Sequence, residues 1–384
     1  MKKSFFFAAL MMVAAMFTAC NSAGTPQDDT TNLWPACDAK GEHVGYINAN
    51  GEMAISAMYD NANQFSCGYG RVGLAGNYFF LNKSGEAAQG TPDFSDGCDP
   101  YFYYNCLGYR VNGKWGMCDK SFKTFIQPAY SFIDYMSESG LVCFQMGEDD
   151  KYGYLNKKGE IAIQAIYDDA NWFKDGVATV KVGEKWGAIG TDGQFAINAT
   201  YDDLWSIGEG RLAFVDHKAQ KGGMMDTKGN VIVQPIYDGV ENFADNGLCP
   251  VCQNEKWGYI NKNGDIKLAI MYHEAAPFYE GYAWIYRTED SNAELIDTNG
   301  NNVLTLSKNE NPYGVFHNGL CKVIAYNDKD GSRTYKYIDK KGTLVYSWTV
   351  KGYNAPARVQ GTKKMDLAEM FAGTPYGPMF NNKK

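Results

Sequence analysis

Two cysteines, Cys249 and Cys252, have the spacing found in thiol-redox and zinc sites. A redox pair requires its first thiol at a helix N-terminus, where the helix dipole lowers the thiol pKa. The residues around this pair instead predict a β-strand, and residues three apart on a strand point to opposite faces of the sheet. A structural zinc site would need a second pair at similar spacing, which the sequence lacks. We therefore predict neither a redox site nor a metal site.

Two pairs of adjacent carboxylates, Asp168-Asp169 and Asp202-Asp203, could in principle supply the acid and the base that cleave a glycosidic bond. Each pair follows a tyrosine at the same point of a repeated phrase, where an aspartate typically accepts hydrogen bonds from nearby backbone N–H groups. The sequence has no Gly-x-Ser-x-Gly or His-Glu-x-x-His motif, and no Gly-x-x-x-x-Gly-Lys followed by Ser or Thr. The four histidines fall at different positions of their repeats: His43, His217, His273 and His317. These observations predict a protein that is not an enzyme and needs no cofactor.

The elements that position these residues come from one repeated phrase, which is clearest from Lys256 to Gly264. Nine copies can be aligned, and successive copies are 34, 37, 37, 34, 36, 35, 36 and 42 residues apart. The copies begin at Val44-Gly45, Tyr78-Phe79, Trp115-Gly116, Tyr152-Gly153, Trp186-Gly187, Gly222-Gly223, Trp257-Gly258, Ala293-Glu294 and Tyr335-Lys336. Such a period is typical of a tandem array in which each repeat is one small supersecondary unit.

Each copy predicts about three antiparallel strands. The first, as in residues 257–261, alternates aromatic and aliphatic side chains, so both of its faces favour burial. A turn such as residues 262–264 then supplies a glycine that tolerates positive φ and reverses the chain. We expect the second strand to end where a proline such as Pro235 removes the next hydrogen-bond donor. The third strand runs through segments such as Leu248 to Cys252.

The Trp-Gly pairs are interpreted as structural, because a glycine would let the indole lie close against the backbone of a neighbouring repeat. The residues assigned to this role are Trp115, Gly116, Tyr152, Gly153, Trp186, Gly187, Trp257 and Gly258. If the ring is buried, Trp257→Ala should cost about 3 to 5 kcal/mol through a core cavity.

The phrase and its period resemble the WG-repeat (KWG-repeat) family of bacterial proteins, over residues 43–350. Two further landmarks recur in phase, a Tyr-Asp corner such as Tyr167-Asp168 and an aromatic residue three before a glycine, as in Phe173 to Gly176. The resemblance implies an all-β fold of nine tandem repeats, with propeller-like blades or an open superhelical array as the two possible architectures. Residues 351–384 break the period and are interpreted as a C-terminal tail.

Residues 1–19 have the layout of a secretory signal peptide, with two lysines before an apolar run from Phe5 to Phe17 that is too short to span a bilayer permanently. The small residues directly before Cys20 resemble the lipobox of bacterial lipoproteins, which implies that Cys20 carries a lipid with acyl chains such as palmitate. Residues 20–42 are then a polar, lipid-attached tether. We expect a lipid-anchored protein of the cell envelope, in the outer membrane, with the periplasmic and surface faces both left open.

Lipidation of Cys20 would leave nine of the ten cysteines in the folded part, and an odd number excludes complete pairing within one chain. Cys249 and Cys321 occupy the same place in their repeats, and Cys143 lies close to that place. We expect these three to be small buried residues on the third strand, although the sequence does not decide whether any cysteines pair.

The net charge of −8 disfavours nucleic acid as a partner, because nucleic-acid binding needs clustered Lys and Arg. The membrane contact would be the lipid alone. Three functions remain: a protein-binding scaffold, a glycan-binding or cell-wall-binding surface suggested by 27 Tyr and 8 Trp, and a polysaccharide hydrolase, for which no acid pair lies out of phase with the repeat. Exposed aromatic rings on one rim would favour the glycan, and exposed apolar surface would favour a protein partner.

Overall fold

The computed structural model describes residues 31–148 and 150–351, which form 33 β-strands and no helix. The strands make nine antiparallel sheets, numbered here in chain order. Sheets one to three contain β1 (Trp34–Cys37), β2 (Val44–Ile47), β3 (Met53–Tyr59); β4 (Asn61–Ala62), β5 (Tyr69–Leu74), β6 (Asn77–Asn82); and β7 (Cys106–Val111), β8 (Lys114–Asp119), β9 (Thr124–Tyr130). The all-β fold of tandem repeats predicted from the sequence is confirmed.

The other six sheets have four strands each. Sheets four to six contain β10 (Phe132–Ile133), β11 (Val142–Gln145), β12 (Tyr152–Leu155), β13 (Ile161–Tyr167); β14 (Asp169–Ala170), β15 (Val177–Val182), β16 (Lys185–Gly190), β17 (Phe195–Tyr201); and β18 (Leu204–Gly208), β19 (Arg211–Asp216), β20 (Lys221–Asp226), β21 (Val231–Tyr237). Sheets seven to nine contain β22 (Gly239–Val240), β23 (Leu248–Gln253), β24 (Lys256–Asn261), β25 (Ile266–Tyr272); β26 (Glu274–Ala275), β27 (Tyr282–Tyr286), β28 (Glu294–Asp297), β29 (Asn302–Thr305); and β30 (Glu310–Pro312), β31 (Leu320–Tyr326), β32 (Arg333–Asp339), β33 (Leu344–Val350). The additional strand is short, two to five residues. The strand predicted third in each sequence copy lies in the sheet of the next copy, as Leu248–Gln253 does between β22 and β24.

The chain divides into two compact units. Unit 1 contains residues 90–98 and 102–278, and unit 2 contains, among the described residues, 31–89, 99–101 and 279–351. The third to seventh sheets lie in unit 1, and the first, second and ninth lie in unit 2.

In most repeats the hairpin turn is held by a side chain as well as by a glycine. Asn156 at the end of β12 accepts hydrogen bonds at Oδ1 from the backbone N–H groups of Lys158 (2.8 Å) and Glu160 (3.1 Å), and Gly159 has φ of +76°. The same pair of bonds forms in eight of the nine sheets, at Asn48, Asn82, Asp119, Asn156, Asp226, Asn261, Asp297 and Asp339. A short polar side chain that bonds its own turn lowers the cost of reversing the chain.

The glycine of each Trp-Gly pair lies opposite a bulge in the last strand of its own sheet, which we call the outer strand. In the seventh sheet Trp257 pairs with Tyr272, and Tyr259 pairs with Leu268. Three residues of the outer strand therefore face the single residue Gly258. Extra residues on one strand bend it and increase its local twist.

A side chain at Gly258 would collide with this bulge, because a Cβ atom there would lie 2.7 Å from both the N and Cα atoms of Ile270. The same bulge occurs in the six sheets that keep the glycine, at Gly45, Gly116, Gly153, Gly187, Gly223 and Gly258. It is absent from the eighth and ninth sheets, which have Glu294 and Lys336 at that position. The sequence-based reason for the glycine was therefore wrong: it makes room for the outer strand of its own sheet and not for an indole against another repeat.

The two prolines expected to end the second strand instead lie inside it. β9 continues through Pro128 to Tyr130, and β21 continues through Pro235 to Tyr237. Each proline is the middle residue of a bulge, where the strand makes no regular ladder pairing. A residue without an N–H group is tolerated at such a position.

Neighbouring sheets stack through two recurring contacts. The hydroxyl of Tyr154 donates to the carbonyl of Asn171 in the next sheet, and Tyr259 donates to Ala276, both at 2.7 Å. The turn glycine packs against the preceding sheet: a Cβ atom on Gly264 would lie 2.6 Å from Cγ2 of Val233 in that sheet. Consecutive sheets within a unit thus bury their faces against each other.

In unit 2 the ninth sheet makes the same contacts with the first. Tyr337 donates to the carbonyl of Pro35 (2.9 Å), as Tyr154 does to its following sheet, and the Nε1 group of Trp34 donates to the carbonyl of His317 (2.8 Å). Trp34 and Tyr337 share one buried cluster with Trp348. Within unit 2 the first sheet therefore takes the place of a following neighbour for the ninth.

Candidate functional site

The tryptophans that the sequence singles out lie at the margin of the sheets. Three are half-buried: Trp115, Trp186 and Trp257. The ammonium of Lys181 lies 6.0 Å from the ring centre of Trp186, and the guanidinium of Arg110 lies 5.7 Å from that of Trp115. The residue two positions later is buried instead, as at Tyr259. The indoles are therefore not core side chains, and two of them have a cation over the ring face that a sugar would need.

In the fourth sheet Tyr152 takes the tryptophan position and is half-buried, while Gly153 beside it is buried against the bulge formed by residues 164–166. Gly116 and Gly187 make the equivalent close approach in their sheets. These residues thus serve the geometry of single sheets and do not converge on one point. Cys20 lies outside the described residues.

The paired carboxylates serve the corner between strands. Asp168 pairs with Lys151, and its Oδ2 atom accepts from the backbone N–H of Gly183 at 2.8 Å. The turn that contains Gly183 lies 15 residues further along the chain than Asp168. Asp168 therefore does not hold the local turn that was expected from the sequence. Asp202 pairs with Lys185 in the same way. These side-chain hydrogen bonds hold the pKa values of Asp168 and Asp202 below their usual range, so neither is suited to act as a general acid.

The strand predicted around Cys249 and Cys252 is present as β23, and both thiols are buried. Burial raises the pKa of Cys249 well above its usual value and that of Cys252 to about 11. Cys143 and Cys321 are buried as well, as expected for small residues on this strand. Protonated, enclosed thiols are poor nucleophiles and poor metal ligands.

Among the described residues, no group of three or more His, Cys, Asp or Glu side chains is arranged to hold a metal ion. That same part of the chain contains no helix with the length and hydropathy needed to cross a bilayer.

Two kinds of surface could bind a partner. The first is an aromatic cluster in unit 1, where the ring of Tyr103 lies 4.0 Å from that of Tyr135, and Tyr135 lies 6.1 Å from Trp172. A cavity of about 10 Å³, near the size needed for one water molecule, lies beside this cluster. Its lining includes Trp172, Glu138 and Lys174.

The second surface consists of exposed aliphatic side chains on the outer strands of unit 1, which we call the outer rows. One row takes the first residue of each of four consecutive outer strands: Ile161, Phe195, Val231 and Ile266, which are 44 to 57% exposed. The other takes the last residue of the bulge: Ile166, Ile236 and Met271. Only Phe195 among these seven is aromatic.

The first outer row could not be located from the sequence, because one extra residue near the start of the outer strand shifts the alternation between buried and exposed positions, as Ile232 does between Val231 and Val233. A regular strand would bury every second residue. The sequence pattern Pro-x-Tyr marks the bulge in retrospect, since the residue between proline and tyrosine is exposed in both β9 and β21.

The model of a protein family described as WG containing repeat matches this chain over residues 45–78, 115–148, 152–186, 186–217, 223–257 and 257–286, together just over half of its length. No curated protein matches the chain.

Solved structures show the fold alone. A crystal structure of a eukaryotic initiation factor is similar with a TM-score of 0.58 and 11% identity, covering 83% of this chain and 96% of that one. Hsv2 from Kluyveromyces lactis gives 0.38 at 8% identity over 65% and 94% of the two chains. Virginiamycin B lyase from Staphylococcus aureus gives 0.33 at 14% identity over 63% and 91%.

Proposed function

Because the chain belongs to the WG containing repeat family, and its repeats form a stack of small sheets, we propose that it is a protein-binding scaffold of the cell envelope. The observation that carries this proposal is the pair of outer rows, which expose apolar side chains at matching positions of several sheets of unit 1. Exposed apolar side chains that recur in this way are candidates for contact with a partner protein.

The chemistry of the exposed side chains favours a protein over a glycan. Sugars are bound by flat aromatic faces, and the outer rows are almost entirely aliphatic. The recurring tryptophans, which suggested sugar binding, are half-buried, and Trp115 and Trp186 lie beneath cations. Aliphatic side chains gain most from contact with the apolar surface of another protein, at about 25 cal/mol for each Å² removed from water.

Attachment to the envelope is part of the proposal and rests on the sequence of residues 1–20. A lipid on Cys20 would hold the sheets near a membrane, with the residues between Cys20 and β1 as the connection. This segment is shorter than the tether predicted over residues 20–42, because Trp34–Cys37 is a strand of the first sheet. The scaffold would then present its outer rows to proteins of the same compartment.

The test is crosslinking in cells with tagged full-length protein, followed by mass spectrometry of the proteins that copurify. The key variant replaces Ile161, Val231 and Ile266 with serine, and the matched control replaces Leu344, which is similarly exposed at the first position of β33 in unit 2. We expect the triple variant to lose a reproducible partner that the control retains. A Cys20→Ser variant should release the protein from the membrane fraction.

Glycan binding is the second candidate, and the observation that favours it is the neighbouring pair of half-buried rings of Tyr135 and Trp172. Copurification of polysaccharide in place of protein, together with its loss in a Trp172→Ala variant, would support this second candidate and contradict the first.

A further inference from the structure

Two sheets pair a polar side chain just beyond their first strand with a side chain directly across the sheet. In the second sheet the Nε group of Arg71 donates to Oδ1 of Asn63 at 3.1 Å, and in the fifth the Nδ2 group of Asn171 donates to Oγ1 of Thr179 at 2.8 Å. In both sheets the backbone N–H of the asparagine donates to the carbonyl of the residue across, so the two places are structurally equivalent. A polar group that is buried here therefore has a partner.

The seventh sheet has Glu241 at this place and Pro250 across from it. The backbone N–H of Glu241 donates to the carbonyl of Pro250 at 3.0 Å, which is the same register as in the other two sheets. Proline has no N–H group and its ring has no polar atom, so it cannot donate to the carboxyl group. Glu241 is 6% exposed, and its Oε2 atom has no hydrogen-bond partner among the described residues. Because an unpaired buried charge is far more costly than a neutral acid, this place favours the protonated carboxyl group.

The surroundings of Glu241 are largely apolar. Val240 and Phe243 on either side of it belong to a buried cluster that the sixth and seventh sheets form together. The titratable group in contact with it is the thiol of Cys249, which donates to the carbonyl of Glu241 at 3.1 Å. The other titratable groups near this cluster are Tyr237, Lys174 and Glu209. Burial alone raises the pKa of Glu241, to about 8, in agreement with the missing partner.

Glu241 begins a loop, residues 241–247, that joins the two-residue strand β22 to β23. The backbone N–H of Phe243 in this loop donates to the carbonyl of Ile207 in the sixth sheet at 2.7 Å. We propose that Glu241 is a proton-controlled switch: loss of its proton releases the loop from the sixth sheet, so that water reaches the carboxylate, and uptake of the proton closes the loop again. Opening then releases one proton, so each pH unit between about 5 and 8 raises the population of the open form by about tenfold.

The opening is measured through Cys249, whose buried thiol loses its bond to Glu241 when the loop moves. The matched control is Cys321, a buried thiol at the same place of the ninth sheet, where Tyr313 stands in the position of the carboxyl group. Folded full-length protein is treated with N-ethylmaleimide from pH 5.5 to 7.5, and tandem mass spectrometry gives the labelling rate of each cysteine. Dividing the rate at Cys249 by that at Cys321 cancels the ordinary increase of thiolate with pH. We expect this ratio to rise by about tenfold for each pH unit.

Two variants, each checked for folding by far-UV circular dichroism, assign the effect to Glu241. Glu241→Gln has no proton to lose and should give a ratio that does not change with pH. Pro250→Thr places a hydroxyl donor across from the carboxyl group, as Thr179 does in the fifth sheet, so the ratio should level off at a lower pH because the carboxylate is then paired in the closed form. A constant ratio in the parent protein, or a rise that persists in Glu241→Gln, would overturn the proposal. A profile of Pro250→Thr identical to that of the parent would contradict the role of the missing partner.

Discussion

The glycine opposite the bulge allows a sharp test of the fold. In Gly258→Ala the new Cβ atom would lie 2.7 Å from the N and Cα atoms of Ile270 and 2.8 Å from the carbonyl oxygen of Ala269. All three are backbone atoms, so no side-chain rotation can relieve the contact. The outer strand must instead move by about 1 Å, since carbon atoms in contact are normally about 3.5 to 4.0 Å apart.

Two opposing effects decide whether this substitution raises or lowers the free energy of unfolding. Alanine restricts the unfolded chain more than glycine does, which stabilises a protein by about 0.4 to 1 kcal/mol where the folded backbone accepts it. Overpacking costs about 1 to 3 kcal/mol, and a shift of backbone lies towards the upper end. We therefore expect Gly258→Ala to lower the free energy of unfolding by about 1 to 2 kcal/mol.

The assay is urea unfolding followed by far-UV circular dichroism. The matched control is Gly183→Ala, at a hairpin tip where a Cβ atom meets nothing within 4 Å and φ is +62°. That variant carries the cost of positive φ, about 1 kcal/mol, without a collision, whereas Gly258 lies outside the positive-φ region and meets the collision alone. An unfolding midpoint for Gly258→Ala equal to or above that of the parent would refute the role assigned to the bulge.

Three further substitutions test other parts of the structure. Glu241 is buried, its Oε2 atom has no hydrogen-bond partner, and burial raises its pKa to about 8. The contribution of Glu241 to the free energy of unfolding should therefore be full below pH 4 and fall as pH rises towards 8. Glu241→Gln should flatten this dependence in thermal melts between pH 4 and 9. Tyr154→Phe removes the bond to the carbonyl of Asn171 and should cost about 1 to 2 kcal/mol in urea unfolding. Trp257→Ala should cost only about 2 kcal/mol, because the half-buried indole leaves a gap that water can fill; a loss of 4 kcal/mol would contradict this.

The repeat period, the strands and the turn glycines could be predicted from the sequence because they depend on local chemistry. An Asx side chain before a glycine defines a turn wherever it occurs, as at Asn156. The two-residue strands β10 and β14 could not be predicted, because two residues carry no periodicity. Their pairing is set by the sheet against which they pack.

The burial of the tryptophans was misjudged for a related reason. Alternation along β24 shows that Trp257 and Tyr259 share one face, but it does not show how far that face extends under the next sheet. Tyr259 lies beneath the next sheet and donates to Ala276, whereas Trp257 lies near the open end of the hairpin.

The bulge connects the repeat signature to the proposed binding surface. Gly258 admits three outer-strand residues where a regular ladder has one, and the last of them, Met271, is 53% exposed. In the ninth sheet Lys336 replaces the glycine and pairing there is regular, so the single residue Ser347 lies opposite it, and this exposed residue is polar. The glycine therefore makes room for the extra outer-strand residues, among them the exposed Met271. If the outer rows bind the partner, Gly258→Ala should weaken partner capture under conditions in which the variant is still folded, because the bulge that presents Met271 must move.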